Sequence, residues 1–207
     1  MKRNLVITIV MVFLSTLPFY GQKLRLGVTA GLNVSTLSEP GNLYNNEALK
    51  TGFGGGLEVK YAFNETFGVR TGVLYEQKGF RKNKELFNQD EKITGMYHYL
   101  NVPLLIEGTL SVTGDTRLYG VTGLYTGFRC YSENTLTLEG TELLTAPEDE
   151  DINKTEYGWT FGGGIQMSAG KHLMQIGFRY SLGLTEVLES QPEDHNKSVL
   201  VGVTLLF

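Results

Sequence analysis

The sequence has little cysteine, proline, tryptophan or net positive charge. A single cysteine, Cys130, among 207 residues excludes an internal disulfide and a cysteine-rich zinc module. The formal net charge of −4 gives no basic field of the kind that a nucleic-acid backbone requires, so no nucleic-acid partner is expected. What is abundant is glycine, tyrosine and phenylalanine, with 26, 11 and 11 residues. Because glycine weakens helices and aromatic side chains suit pleated surfaces, this balance favours strands and turns over a helical bundle.

Residues 1–22 have the three-part order of a secretory signal peptide. Lys2 and Arg3 precede an apolar run from Leu5 to Leu14, and a less hydrophobic stretch continues to Gln22. The run is shorter than the roughly 20 apolar residues of a transmembrane helix, and no later segment approaches that length. We therefore predict a cleaved signal peptide at 1–21, followed by a single exported domain at 22–207.

Beyond residue 23 the dominant pattern alternates apolar with polar residues. This period is typical of strands whose two faces meet different surroundings. We predict eight strands, an even number as single-chain bacterial barrels require. They span about residues 24–35, 53–63, 67–80, 97–108, 116–130, 156–168, 172–184 and 198–207.

The predicted connections fall into two classes that alternate along the chain. Those at 64–66, 109–115 and 169–171 are short, whereas those at 36–51, 81–96, 131–155 and 185–197 are long and polar. This order is expected of an up-and-down barrel with both termini at the short-turn end.

All charged residues in the predicted strands fall on the inward-facing parity. An ionised side chain at mid-bilayer on the lipid face costs several kcal/mol, whereas a wet lumen accepts it. Since buried charges require partners, we predict a structural charge network in the lumen. Its predicted members are Arg25, Glu58, Lys60, Arg70, Glu76, Glu107 and Arg179. An ion path is the alternative, since rings of charge set selectivity in pores.

Apolar and aromatic residues complete this pattern. Outward aromatic residues near both strand ends suggest two girdles at the water interfaces. They are Phe63, Phe67 and Phe207 near the short turns, and Phe53, Tyr75, Trp159 and Tyr180 towards the other end. Some leucines and valines fall inward, and Thr71, Thr122 and Thr126 fall outward. A barrel of eight strands is narrow enough for inward side chains to fill it, so we expect a plugged interior.

Four stretches are similar to one family of outer-membrane proteins. They are GVRTGVLYEQKGF at 68–80, YHYLNVPLLIE at 97–107, YGWTFGGGIQM at 157–167 and GFRYSLGL at 177–184. Together they resemble the PorT-like β-barrels, which share the eight-stranded architecture of OmpA and OmpX. The resemblance implies an integral outer-membrane location and, for some members, a part in a secretion system. The last strand, ending in Phe207, also resembles the signal that barrel-assembly machinery reads.

Two patterns are candidates for other chemistry. The connection at 131–155 holds seven acidic residues and one lysine, which suggests either divalent-cation binding or a solvated surface. Ser132, Glu133 and His195 supply the residue types of a nucleophile, an acid and a base, but no motif fixes their arrangement. We therefore predict no catalytic residue, no cofactor and no metal site.

The sequence predicts an all-β protein, an eight-stranded antiparallel up-and-down transmembrane β-barrel of the outer membrane. The predicted role is structural or interactive: envelope integrity, surface binding or a part in protein secretion. The expected partners are outer-membrane lipid and lipopolysaccharide, the barrel-assembly machinery, and envelope or secretion proteins. A narrow channel for ions or small solutes and a lipid-modifying enzyme are the alternatives.

Overall fold

The structure, a computed structural model, describes residues 24–37, 46–86, 89–138, 141–146, 153–185 and 195–207. These residues form nine strands. In chain order they are β1 (Leu24–Leu37), β2 (Asn46–Ala62), β3 (Phe67–Leu86), β4 (Gln89–Thr113), β5 (Thr116–Leu138), β6 (Thr141–Ala146), β7 (Thr155–Ala169), β8 (His172–Gly183) and β9 (Asn196–Leu206). Within this part of the chain no helix is long and apolar enough to cross a membrane. The predicted signal peptide and Lys23 lie outside the described residues.

Eight of the strands close into an antiparallel barrel. The ring runs β1, β2, β3, β4, β5, β7, β8 and β9, and β9 pairs with β1 to complete it. At this closure Val28 lies opposite Leu205 and Gly31 opposite Gly202. A closed ring removes the exposed edges that an open sheet would present. The predicted fold class is confirmed.

At the end with the longer connections, the strands continue further than the sequence predicted. β3 pairs with β4 as far as Leu86 opposite Gln89, so most of the predicted loop at 81–96 is a hairpin. β5 continues to Leu138, and the additional strand β6 pairs with it inside the predicted loop at 131–155. The prediction of loops at these positions is wrong in those parts. The sequence at 81–96 is mostly polar and does not alternate apolar with polar residues, so it gives no sign of a strand. Hydrogen bonding between the backbones of two strands does not require such alternation.

The turns at the opposite end are tight, for local reasons. Gly114 and Gly170 have φ angles of 56° and 66°, a left-handed conformation that glycine adopts without steric cost. The predicted connection at 109–115 therefore shortens to two residues, since β4 runs to Thr113 and β5 begins at Thr116. In the first turn the Asn64 side-chain oxygen accepts hydrogen bonds from the backbone of Thr66 and Phe67, at 2.8 and 2.7 Å.

The outward face of the barrel is apolar. Leu57 and Leu104 expose 67% and 66% of their surface, and many other large apolar side chains are exposed with them. A continuous exposed apolar surface of this kind is expected of a barrel embedded in lipid. Two of the three outward threonines form local hydrogen bonds through their hydroxyls. Thr71 donates to the Pro103 carbonyl at 2.7 Å, and Thr122 accepts from the Trp159 indole at 3.0 Å.

The inward face carries polar residues and a smaller apolar set, most of which are buried. Leu74, Leu105, Val121, Leu200 and Leu206 pack inside the barrel. Inward glycines leave room for large side chains beside them. A side chain at Gly158 would collide with the ring of Tyr125, which lies directly opposite on β5.

Candidate functional site

The lumen contains two groups of polar side chains, one towards each end, and all of them are buried except Arg25 and Arg117, which are half-buried. The short-turn cluster comprises Arg25, Glu58, Lys60, Arg70, Glu107, Arg117 and Arg179. The outer cluster comprises Lys78, Tyr99, Tyr125, Glu156 and Asn196. Strand alternation directs all of these side chains inward, because they share the parity of the other buried residues on their strands.

Glu58 links four strands of the barrel at the short-turn end. Its carboxylate accepts hydrogen bonds from Arg179 Nη2 at 2.8 Å and from Thr29 Oγ1 at 2.6 Å. Arg70 Nη1 lies 3.4 Å from the same carboxylate. The three partners come from β8, β1 and β3, while Glu58 is on β2. Glu58 therefore ties residues together across the lumen as well as along the wall.

Glu107, on β4, is the second carboxylate of this cluster. It forms ion pairs with Lys60 and Arg70, and the Gln175 amide donates to it at 3.2 Å. Arg70 also donates to the Gln175 side-chain oxygen, and Gln175 donates to Gln166 at 2.9 Å. Because Arg70 contacts both carboxylates, it joins their two groups of partners into one network.

The outer cluster is centred on Lys78. Its ammonium lies 3.0 Å from Glu156, and it lies 5.1 and 4.7 Å from the ring centroids of Tyr99 and Tyr125. The Tyr125 hydroxyl donates to Glu156, and Asn196 donates to Glu156 at 3.0 Å. A buried lysine is thus held by one carboxylate and two aromatic faces, an arrangement that compensates its loss of water.

The seven residues predicted from the sequence fall into two sets. Glu58, Lys60, Arg70, Glu107 and Arg179 meet in one network. Glu76 is buried and accepts a hydrogen bond from Asn101 at 2.7 Å, but within the described residues no cation lies within 4.0 Å of it. Arg25 also has no ion pair there. Sequence reasoning left Lys78 and Glu156 out of the network, although their inward parity was the signal that identified the others.

Side chains fill the middle of the lumen. Glu58, Arg70, Lys78, Glu107 and Gln175 are almost completely inaccessible to solvent. Among the described residues, two cavities lie near them. One of about 380 Å³ lies inside the short-turn end, and one of about 20 Å³, room for roughly one water molecule, lies beside Arg179.

Ser132 and His195, two of the residues considered for catalysis, lie at the end of the barrel with the long connections. Ser132 accepts a hydrogen bond from Arg129 at 2.6 Å, and His195 Nδ1 lies 3.1 Å from the Thr185 carbonyl oxygen. Neither contact joins a nucleophile to a base. Cys130 is exposed. Among the residues that the structure describes, no three acidic, histidine or cysteine side chains are placed to hold a metal ion. The acidic run at 148–151 lies outside the described residues.

A closed antiparallel barrel with an apolar outer wall and a polar, ion-paired lumen defines the class of outer-membrane β-barrels. Residues 18–189 match the family model described as outer membrane protein beta-barrel domain. The chain belongs to this family and is an integral outer-membrane protein. The match covers β1 to β8 and the connections between them.

The solved structures that are similar to the chain are distant from it in sequence. The attachment invasion locus protein Ail of Yersinia pestis is 17% identical, with a TM-score of 0.46, over 89% of this chain and 99% of Ail. Neisserial surface protein A is 15% identical, with a TM-score of 0.46, over 88% of this chain and 97% of that protein. OprG of Pseudomonas aeruginosa is 12% identical, with a TM-score of 0.46, over 88% of this chain and 95% of OprG. No curated protein matches the chain significantly.

Proposed function

We propose that the protein has an interaction role. Its closed barrel holds it in the outer membrane, and its outer extension binds another component of the envelope. The outer extension comprises residues 81–86, 89–96, 131–138 and 141–146. It is built from the ends of β3, β4 and β5 together with β6. The observation that carries the proposal is that these strands continue, paired, well beyond the apolar wall. In outer-membrane barrels the short turns face the periplasm, so this extension projects from the cell.

Within the outer extension, the edge of β6 that does not pair with β5 is the most suitable surface for binding a partner. In the described part of the chain β6 pairs with β5 alone, which leaves the backbone groups of its second edge without a strand neighbour. Such an edge pairs readily with an extended segment of another protein. The resemblance to PorT-like barrels suggests a secretion assembly as the source of that segment. The same edge of β6 is also a contact surface for a role in envelope integrity or surface binding. In each of these roles, lipopolysaccharide and outer-membrane lipid surround the apolar outer face of the barrel.

Crosslinking at defined positions tests this proposal. A photoreactive amino acid at position 143 in β6 is expected to give one adduct of defined mass in intact cells. The same probe at Val112, an exposed residue at the short-turn end of β4, is the matched control and is expected not to give that adduct. Replacing residues 134–146 with a two-residue turn should abolish copurification of the same partner. Adducts that are identical at both positions, or none at position 143, would contradict the proposal.

The alternative role of a narrow channel leads to a separate prediction. Because buried ion pairs from several strands occupy the lumen, we expect the purified protein to give no stable single-channel conductance in a planar bilayer. The recording should be made at several voltages, with a known porin added afterwards to show that the bilayer accepts channels. Reproducible unitary currents from the barrel alone would favour the channel over the interaction role.

A further inference from the structure

The cavity of about 380 Å³ at the short-turn end is lined by three cations. Arg25 comes from β1, Lys60 from β2 and Arg117 from β5. β1 and β5 are four strands apart in either direction around the eight-stranded ring, so the two arginines approach the cavity from opposite walls. The polar side chains of Thr109 and Gln166 also line it.

The short-turn cluster contains more positive than negative charge. It has five cations and only two carboxylates, Glu58 and Glu107, a formal excess of three positive charges. Both carboxylates are already shared, since Glu58 serves two arginines and Glu107 serves Lys60 and Arg70. Lys60, Arg70 and Arg179 are buried, whereas Arg25 and Arg117 are half-buried and still accessible from the cavity. Because two carboxylates do not balance five cations, this end of the lumen favours an anion.

Arg25 and Arg117 are the two cations of this cluster that form no ion pair within the described residues. Among the described residues neither has an ion-pair partner within 4.0 Å. Arg25 lies directly opposite Lys60 in the pairing of β1 with β2, and Lys60 lies directly opposite Arg70 in the next pair. Like charges in such positions repel one another. The exposed Glu65 in the first turn is the one carboxylate lining the cavity, and it offsets only part of the excess.

We propose that this cavity binds the phosphate group of a small phosphate monoester. A dianion matches the charge excess better than a single carboxylate does, and an arginine fork donates two parallel hydrogen bonds to phosphate oxygens. The volume lies at the lower end of the range for small-molecule sites, so it holds a group of about glycerol size beside the phosphate. The monoester is either a free metabolite or the headgroup of a lipid in the facing leaflet. The site is independent of the proposed contact at the opposite end.

Titration calorimetry of the purified barrel in micelles with glycerol 3-phosphate tests the proposal. We expect one site, and a loss of affinity of about tenfold in each of Arg25→Gln and Arg117→Gln, since each removes a charge-assisted contact. Lys171→Gln is the matched control, because it removes the same charge from an exposed turn at the same end, outside the cavity lining. Its affinity should change by no more than about twofold at moderate salt.

The outcomes separate a built site from general electrostatic attraction. Absent binding, or equal weakening by Lys171→Gln and the two arginine variants, would overturn the proposal. Arg25→Lys, which keeps the charge, should retain more affinity than Arg25→Gln, and circular dichroism must show that each variant is folded. Short-chain phosphatidic acid identifies the source. If it displaces glycerol 3-phosphate the ligand is a lipid headgroup, and if it does not the ligand is a free monoester; both results support the site.

Discussion

Replacing Glu107 with glutamine is expected to destabilise the folded barrel by about 3–5 kcal/mol. The side chain is completely buried and forms ion pairs with Lys60 and Arg70. Glutamine keeps the size of the side chain but removes its charge. Lys60 then has no carboxylate within ion-pair distance among the described residues, and Arg70 keeps only Glu58 at 3.4 Å. The loss is measured as the change in free energy of unfolding in urea, in lipid vesicles, followed by the fluorescence of the single tryptophan, Trp159.

Two further variants show whether the loss comes from uncompensated charge. Glu65→Gln removes an exposed carboxylate from the first turn, and we expect it to change stability by less than about 0.5 kcal/mol. The double variant Glu107→Gln with Lys60→Met should be less destabilised than the sum of its single variants, because the stranded lysine is gone. A loss below about 1 kcal/mol for Glu107→Gln would mean that water or ions reach this carboxylate and that the lumen is not closed around it.

The alternation of residues predicted the barrel because a strand has only two faces. Once one charged residue of a strand is assigned to the lumen, the direction of every other side chain on it follows. Glu58 and Lys60 on β2 are both buried, whereas Leu57, directly before Glu58, is exposed. Ring order follows from the same reasoning, since consecutive strands of an up-and-down barrel are neighbours. These features are properties of single strands and of adjacent pairs.

The sequence could not predict contacts across the lumen. Such a contact depends on the level of each residue along the barrel axis as well as on the face of the strand that it occupies. Glu76 and Lys78 both point inward from β3, yet only Lys78 meets Glu156, a residue 78 positions later in the chain. Glu76 meets Asn101 of β4 instead. The level at which each strand crosses the barrel is set by its tilt and by the stagger of the pairing, and neither is visible in a pattern of period two. The outer extension escaped prediction for another reason, since residues 81–92 are almost all polar or charged and give no apolar alternation from which a strand could be predicted.

An arginine at Leu57 is expected to cost about 2–4 kcal/mol of folding free energy, because this position lies at mid-bilayer on the lipid face. Leu57 lies on β2 between the aromatic residues Phe53 and Phe63, which we predict to lie at the two water interfaces, and 67% of its surface is exposed. An arginine there has hydrocarbon around it and no lumen partner. The cost is measured by urea unfolding in vesicles, as for Glu107→Gln.

Leu49→Arg is the matched control for the apolar wall, since Leu49 lies on the same strand, beyond Phe53, and is 64% exposed. The same change there should cost no more than about 1 kcal/mol, because water reaches that height. The two positions differ in depth and hardly at all in accessibility, so a difference in cost arises from lipid and not from packing. Equal small costs would show that β2 faces water over its whole length, which contradicts the membrane placement. Equal large costs would place the outer boundary of the bilayer above Leu49 and bring the base of the outer extension into the lipid.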